Sequence, residues 1–506
     1  MRLVPFILSG LFLYLWGLCV TYAAADGSIF INGESLLYLS IITFTLMIFW
    51  TNAEAASRPL FIVLIFYTFT MYLFGAYKLL LFSFNSDVWT FEIYNWARSS
   101  DINHWLRYSL FCTVATGSGL LLGTKLISNK QYKHNREILN QNKITISIEH
   151  LLILYVIFLA ISIYDLAQFG YGAISGQEGS AISRLYGIID VDIIVNMALI
   201  IGVYQWDRLS KYHRRILLFI TLSMVVYRVV AGSRSALYAY VIPLMFYLSL
   251  FRGNFVIRKK LFFLIIIASL LIYPIAKGFK DIIKYGARPD LILNLAFFSE
   301  NFSIGDVLQS VMGRKGEWAL EVVDRLSDMN SQLRIINDKQ VIPADKHINL
   351  IATFKRIIND MVPGDVFEDV LPTQYVYHVV YLDFIPVYGG ENYSLYGVYY
   401  VLFGYFGAVI GLFISALIIG YLWKALMFYN ISWRPIILGY FLVIFHQWLL
   451  NELIEGWFVN RVYRPLLTLI FIFLLLKLLA LLSQLFRQKP SEMPAIERGD
   501  LLALNK

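Results

Sequence analysis

Long apolar segments recur along almost the whole chain, and short polar stretches separate them. A helix needs about 20 apolar residues to cross a bilayer, and twelve ranges meet or approach that length. They are 3–24, 35–51, 59–82, 107–127, 147–168, 187–206, 213–231, 235–251, 261–276, 395–422, 434–450 and 465–486. The pattern predicts an all-α polytopic membrane protein with about 12 transmembrane helices. The even number puts both termini on the same side.

One stretch of about 115 residues, 277–391, contains no apolar segment of that length. Apolar residues recur between charged ones across 304–337, which is typical of short surface helices. We therefore expect one large helical loop outside the membrane. The predicted division is transmembrane helices 1–9 over 1–276, the loop domain over 277–393, transmembrane helices 10–12 over 394–487 and a tail over 488–506.

The composition, with 58% hydrophobic and 15% charged residues, excludes an ordinary soluble domain. The net charge of +8 does not indicate a nucleic-acid partner, because the positive residues gather in short loops on one side. Those loops, 126–146, 207–215, 252–260 and 423–434, hold fourteen Lys or Arg against Glu137 and Asp207. The positive-inside rule makes these loops and both termini cytoplasmic, so the large loop faces outward.

Two further features lie in the first part of the chain. Arg2, the first apolar range and Ala23-Ala24-Ala25 also resemble a signal peptide, so cleavage of this range is an alternative to a spanning helix. The outer loop predicted over 84–106 carries several tryptophans, Trp105 among them. Tryptophan in such a loop is typical of an anchor at the membrane interface, and contact with a sugar is the alternative.

Two arginines accompany the seventh predicted span, where an arginine costs a few kcal/mol. Arg234 lies in a tight turn between two spans and can reach water at the membrane surface. Arg228 lies nearly two turns deeper, and we expect it to face a polar cavity inside the helical bundle. Arg184 ends a glycine-rich outer loop, and it either points into the outer vestibule or reaches the interface.

A row of cations follows the ninth predicted span: Lys277, Lys280, Lys284 and Arg288. Their spacings of three, four and four residues place them on one face of a helix. Several fixed charges at the outer leaflet suit a lipid diphosphate, because they stabilise a dianionic group where water is scarce. Contact with anionic lipid headgroups is the simpler alternative.

Three short motifs then coincide with a known family. They are the turn Gly232-Ser233-Arg234 between two spans, Lys355-Arg356-Ile357-Ile358 with Pro363 near the end of the large loop, and Tyr400-x-x-x-Gly404-Tyr405-Phe406-Gly407 in the span after it. Over roughly residues 225–425 the chain resembles the Wzy-type polymerases of oligosaccharide repeat units, the O-antigen and capsule polymerase family. O-antigen ligases, which are related, share the arginine-bearing turn and a histidine in the catalytic loop.

The resemblance implies a GT-C-like membrane glycosyltransferase in the inner membrane of a bacterium. Such an enzyme moves an undecaprenyl-diphosphate-linked glycan onto the non-reducing end of another lipid-linked repeat unit at the outer face. Its partners are the lipid-linked oligosaccharide and membrane lipids, together with a flippase and a chain-length regulator. No cofactor is expected.

Glycosyl transfer from a lipid diphosphate needs a stabilised leaving group and a base for the acceptor hydroxyl. The predicted diphosphate-binding residues are Arg184, Arg228, Lys277, Lys280, Lys284 and Arg288, with Arg234 and Arg356 as catalytic cations. His378 is the predicted base, because it lies among tyrosines near the end of the loop and imidazole titrates near neutral pH. The alternatives are His347, Asp383 and Glu391. The sequence contains no His/Cys cluster with metal-binding spacing, so the reaction is expected to be independent of metal.

Two other functions stay open at this point. A ligase-like transferase would differ from the polymerase only in its acceptor. A transporter or flippase of polar lipids is the non-enzyme alternative, and such proteins are commonly built from internal repeats. The sequence shows no corresponding half, and its charges collect at one face.

Overall fold

The computed structural model describes residues 3–24, 30–76, 79–80, 97–127, 148–169, 191–204, 206, 209–230, 332–333, 336–337, 350–361, 366–368, 394–428, 434–450 and 458–487. Within these ranges the regular structure is helical and there is no strand, as the predicted all-α class requires. The helices are α1 (Leu3–Ala24), α2 (Gly33–Asn52), α3 (Arg58–Thr68), α4 (Ser99–Lys125), α5 (Ile148–Phe169), α6 (Val191–Tyr204), α7 (Lys211–Val230), α8 (Leu350–Met361), α9 (Ser394–Phe428), α10 (Arg434–Leu450) and α11 (Arg464–Arg487). π-Helical turns at Phe69–Leu73 and Phe458–Tyr463 follow α3 and precede α11.

Helices are found at ten of the twelve apolar ranges, and the other two, 235–251 and 261–276, lie outside the described residues. The helix boundaries differ most at α4, which begins at Ser99, where the Arg98 backbone N–H donates to the Asp101 carboxylate at 2.8 Å. The predicted outer loop over 84–106 therefore ends earlier than expected. α9 likewise continues to Phe428, past the predicted start of a loop at 423.

Three helices in the described part of the chain are long and apolar enough to cross a membrane. They are Gly33–Asn52, Arg58–Ala76 and Ser394–Met427. Shorter apolar helical stretches lie at Leu8–Ala23, Ile148–Tyr164, Ile193–Gly202, Ile437–His446 and Leu466–Leu482.

The closest approach of two helices in the described bundle joins α4 to α9. Gly123 of α4 faces Gly420 of α9, and Gly119, one turn earlier on α4, faces Phe413 and Ala416 of α9. A Cβ atom on Gly123 would meet main-chain atoms of Leu417 and Tyr421. Small residues four apart are the usual way for membrane helices to approach closely, because they gain van der Waals contact between backbones. This seam fixes α4 and α9 as a pair, and α2 packs on the other side of α4.

The two ends of this bundle can be told apart by their contacts. At one end the last turns of α9 meet the α2–α3 connection: Lys424 forms an ion pair with Glu54, and the indole nitrogen of Trp423 donates to the carbonyl oxygen of Ala56 at 3.0 Å. Lys424 was expected in a cytoplasmic loop, but it is fully buried on α9. The Glu54 carboxylate balances its charge, and without that partner the buried ammonium group would cost several kcal/mol of stability.

A second cluster of buried apolar residues joins α5, α6, α7 and α11. Tyr155 on α5 and Ser223 on α7 share a hydrogen bond of 2.7 Å. The starts of α5 and α7 meet where the His213 ring lies 3.2 Å from the Glu149 carboxylate. Contacts of α6 with α10 connect this cluster to the first one.

α9 and α11 are apolar on their outward faces as well as on their buried faces. Large apolar side chains repeat every fourth residue along both exposed faces, at Phe406, Ile410, Ile414 and Ile418 and at Leu466, Ile470, Leu474 and Leu478. Helices that are hydrophobic all round are typical of a membrane span or of the core of a large protein.

Replacement of Gly123 by Val tests the glycine seam. The added side chain meets backbone rather than a flexible side chain, so we expect a loss of about 1–3 kcal/mol of stability, as for overpacked cores. The matched control is Gly10→Val on α1, where nothing lies within 4 Å of an added Cβ. Thermal unfolding of both purified variants in one detergent measures the difference, and equal midpoints would show that the seam is not tight.

Candidate functional site

Most of the predicted site residues lie outside the described residues: Arg184, Arg234, Lys277, Lys280, Lys284, Arg288 and His378. Their roles stay predictions. Arg228 and Arg356 do fall in described helices, so the structure reports their positions.

Arg356 lies on α8, the described helix of the large loop. It is buried, with 4% of its surface exposed, and Thr353 beside it is 5% exposed. The apolar residues Ile351 and Phe354 instead have 72% and 63% of their surfaces exposed. The helix therefore turns its polar face towards the protein, where it packs against the π-helical turn 458–463.

The end of α8 is tied to the segment that follows it. The Asn359 side chain exchanges two hydrogen bonds of 2.9 Å with the backbone of Phe367. The Lys355 ammonium lies 5.4 Å from the centre of the Phe367 ring, a cation–π distance. These contacts hold the polar face of α8, and with it Arg356, in a fixed orientation.

Arg228 lies in the last turn of α7 and is partly buried. At a rise of about 1.5 Å per residue, Arg228 lies about 20 Å along the helix axis from Arg214, which is near the other end of α7. α7 packs against α5 and α6, whereas α8 packs against the turn 458–463. The described contacts therefore join Arg228 and Arg356 to different helices, and the polar cavity expected around Arg228 is not among the described features.

A group of hydroxyl-bearing side chains lies where α9 begins. We call Tyr67, Tyr72, Tyr108, Ser394 and Tyr396 the buried cluster. Tyr67 donates to the Ser394 hydroxyl at 2.8 Å, and its own oxygen lies 3.2 Å from the Tyr72 hydroxyl. Tyr108 donates to the carbonyl oxygen of Tyr396 at 2.8 Å. The cluster ties the end of α3 and the first turns of α4 to the first turn of α9.

The first residue of α9 has an unusual backbone. Ser394 has φ of 52°, in the left-handed region that residues other than glycine seldom occupy. Its side chain is fully buried and bonded to Tyr67. Strained residues of this kind persist where their surroundings fix them and are concentrated at functional sites.

The large loop reaches this end of the bundle through residues 332–333 and 336–337. The indole nitrogen of Trp105 donates to Gln332 at 3.1 Å, and both side chains are buried. Trp105 is therefore neither an exposed interface anchor nor a surface for sugar stacking, and it attaches the loop to α4. Asn337 donates to the carbonyl oxygen of Asp101 at 3.1 Å, which makes a second attachment to the same helix.

A second, more accessible group surrounds the buried cluster. We call Glu34, Tyr38, His104, Arg107 and Tyr405 the rim cluster, and they come from α2, α4 and α9. Tyr38 donates to Glu34 at 3.0 Å, and Arg107 interacts with the hydroxyl groups of both Tyr38 and Tyr405. The His104 ring is nearly parallel to that of Tyr405, with 10° between planes and 6.2 Å between centroids.

The backbone of α9 breaks directly before Tyr405. Gly404 has φ of 67° and ψ of −175°, a conformation that is almost restricted to glycine. The helix therefore kinks within the Gly404-Tyr405-Phe406-Gly407 motif. The kink sets the direction of Tyr405, whose ring lies 5.2 Å from that of Tyr108 and 6.2 Å from that of His104.

The rim cluster combines a carboxylate, a guanidinium group, an imidazole group and two phenols around partly exposed aromatic rings. Mixed donors and acceptors beside aromatic faces suit a polar ligand with apolar faces, such as a sugar. Sequence reasoning missed His104 because it lay in a predicted loop. Asp101, an acidic residue in the first turn of α4, was the signal that could have extended this helix towards Ser99.

Comparison with protein-family models, with curated proteins and with solved structures gave no match.

Replacement of Tyr67 by Phe tests the buried cluster. The change removes the buried hydrogen bonds of the Tyr67 hydroxyl to Ser394 and Tyr72, so we expect a loss of about 1–3 kcal/mol of stability. The matched control is Tyr164→Phe on α5, because Tyr164 is exposed. Thermal unfolding distinguishes the two, and an unchanged midpoint for Tyr67→Phe would show that the cluster does not hold α9 in place.

Proposed function

We propose that the chain is a multi-pass enzyme of a bacterial inner membrane that polymerises lipid-linked oligosaccharide repeat units. About 12 helices cross the membrane, both termini are cytoplasmic and the large loop covers the outer face. The enzyme transfers a growing undecaprenyl-diphosphate-linked glycan onto the non-reducing end of a lipid-linked repeat unit. The exposed apolar faces of α9 and α11 support the membrane assignment, because lipid would cover them.

One observation carries the enzymatic part of the proposal. Gln332 and Asn337 of the large loop dock where α4 and α9 begin, beside partly exposed polar and aromatic side chains from three helices. The end of α10 lies close by, since the Trp448 ring contacts that of Tyr399 at 6.3 Å. The turn 458–463 follows α10 and carries α8 with Arg356. Both described parts of the loop thus lie at one end of the bundle.

The proposed chemistry is a substitution at the anomeric carbon of the donor. Cations from separate segments, Arg234 and Arg356 together with the row from Lys277 to Arg288, stabilise the diphosphate that leaves. Positive groups fixed in a poorly hydrated site do this effectively, because they need no reorganisation as charge develops. The reaction in this proposal uses no metal and no cofactor.

The direct test is an assay with purified protein in liposomes. The substrate is the lipid-linked oligosaccharide extracted from cells that lack this chain. A ladder of products on the lipid carrier alone supports the polymerase. Transfer only to an added lipid A core would make the protein a ligase, and transbilayer movement of the substrate without any new glycosidic bond would make it a transporter.

Replacement of Arg234 by Ala is expected to abolish chain growth while the protein still inserts and folds. Arg215→Ala is the matched control, because Arg215 is exposed at the start of α7. Activity retained in Arg234→Lys would indicate that a point charge suffices, and its loss would indicate a bidentate contact with phosphate. Polymer of normal length and yield from Arg234→Ala would remove the residue from the mechanism.

A further inference from the structure

The rim cluster contains a histidine whose orientation is fixed by the large loop. His104 Nδ1 lies 3.0 Å from Asn337 Oδ1. Asn337 belongs to the loop, and His104 lies in the second turn of α4. A histidine on one segment is thus held by a side chain from another, distant in sequence by 233 residues.

The direction of the hydrogen bond follows from the other contacts of Asn337. Its Nδ2 group donates to the carbonyl oxygens of Asp101 at 3.1 Å and Leu333 at 2.9 Å. The opposite orientation of the amide would aim its oxygen at two carbonyl oxygens, which repel it. Asn337 Oδ1 therefore faces His104 and accepts, so Nδ1 of the imidazole carries a hydrogen.

This assignment leaves Nε2 of the neutral imidazole with its lone pair. No residue in the described ranges hydrogen-bonds Nε2, and the side chain is partly exposed. The Tyr405 ring is stacked against the imidazole and restricts its rotation. An imidazole group held through Nδ1, with an accessible Nε2, has the arrangement of a general base.

The surroundings of Nε2 suit a sugar hydroxyl. Arg107 lies three residues further along α4 and is exposed, so it lies on a neighbouring position of the helix surface. Glu34 is held by Tyr38 and by the Asn103 amide, which donates to it at 2.8 Å. The rim cluster thus offers fixed donors and acceptors beside the imidazole.

We propose that His104 is the base that deprotonates the acceptor sugar in the polymerase reaction, with Asn337 as its positioning residue. This inference rests on the proposed function and assigns the role to His104 rather than to His378. The acceptor hydroxyl gives its proton to Nε2, and its oxygen forms a bond to the anomeric carbon of the donor. The bond from that carbon to the diphosphate oxygen breaks, and the lipid diphosphate leaves with the electron pair. Nε2 then gives its proton to water.

The decisive variant is His104→Asn, because the asparagine amide can still donate towards Asn337 but cannot accept the proton. In the liposome assay with extracted lipid-linked oligosaccharide, we expect the rate to fall about 10²- to 10⁴-fold, the usual contribution of a general base. The matched control is His150→Asn on α5, which should polymerise at the rate of the wild type. Thermal unfolding confirms that both variants are folded.

A second pair of variants separates catalysis from structure. Added imidazole should raise the polymerisation rate of His104→Ala at least tenfold, whereas it would not raise the rate if the histidine were purely structural. Asn337→Leu should lower kcat with little effect on KM, because the imidazole loses the acceptor for its Nδ1 hydrogen.

Each outcome decides between the claims. If the wild type builds polymer and His104→Asn does so at the same rate, His104 is not the base and the polymerase assignment stands. If His104→Ala loses activity and imidazole does not restore it, His104 has a structural role and the proposal that it is the base is wrong. If the wild type does not extend the lipid-linked oligosaccharide at all, the proposed function and this inference both fall.

Discussion

The close contact of α4 with α9 is the constraint on which the described bundle depends. Gly119 meets the backbone of α9 at Phe413 and Gly123 meets it beside Gly420, and no larger residue fits at either glycine without displacing main-chain atoms. In a lipid environment the hydrophobic effect does not drive helices together, so such packing contributes a large part of their association. The same pair of helices then carries polar side chains towards the end where α9 begins.

Polar groups at that end are ordered from the inside outwards. The buried cluster satisfies its hydroxyl groups internally, as buried polar atoms require. The rim cluster around it is accessible and keeps chemically active groups near solvent. Two backbone positions of α9 are irregular: Ser394 belongs to the buried cluster, and Gly404 directly precedes Tyr405 of the rim cluster. A rigid inner network thus supports an outer set of groups that are free to meet a ligand.

The helices were largely predictable, because apolar runs of sufficient length leave few alternatives to a helix. The start of α4 could not be predicted in this way. Ser99, Asp101 and His104 make its first two turns polar, and the apolar pattern begins only later. The inverted exposure of α8 was also hidden, because periodicity gives an amphipathic helix but not the environment of each face. The motif alone predicted a catalytic role for Arg356, whereas its burial could be seen only in the three-dimensional structure.

The role of Asn337 illustrates the same limit. Nothing in the local sequence relates it to His104, 233 residues away, because contacts between distant segments are set by the packing of the whole bundle. The glycine spacing on α4 was a readable signal of a helix interface. It identifies a face of α4, but it does not identify α9 as the partner.

The central claim is that glycosyl transfer takes place where α9 begins and the large loop docks. The most direct measurement is a cryo-electron microscopy structure of the protein in a nanodisc with a bound lipid-linked oligosaccharide. The account predicts that the terminal sugar of a bound acceptor lies within about 3 Å of His104 Nε2 and that the diphosphate of a bound donor lies against Arg234. A diphosphate bound at the opposite end of the bundle, beside Lys424 and Lys211, would contradict it.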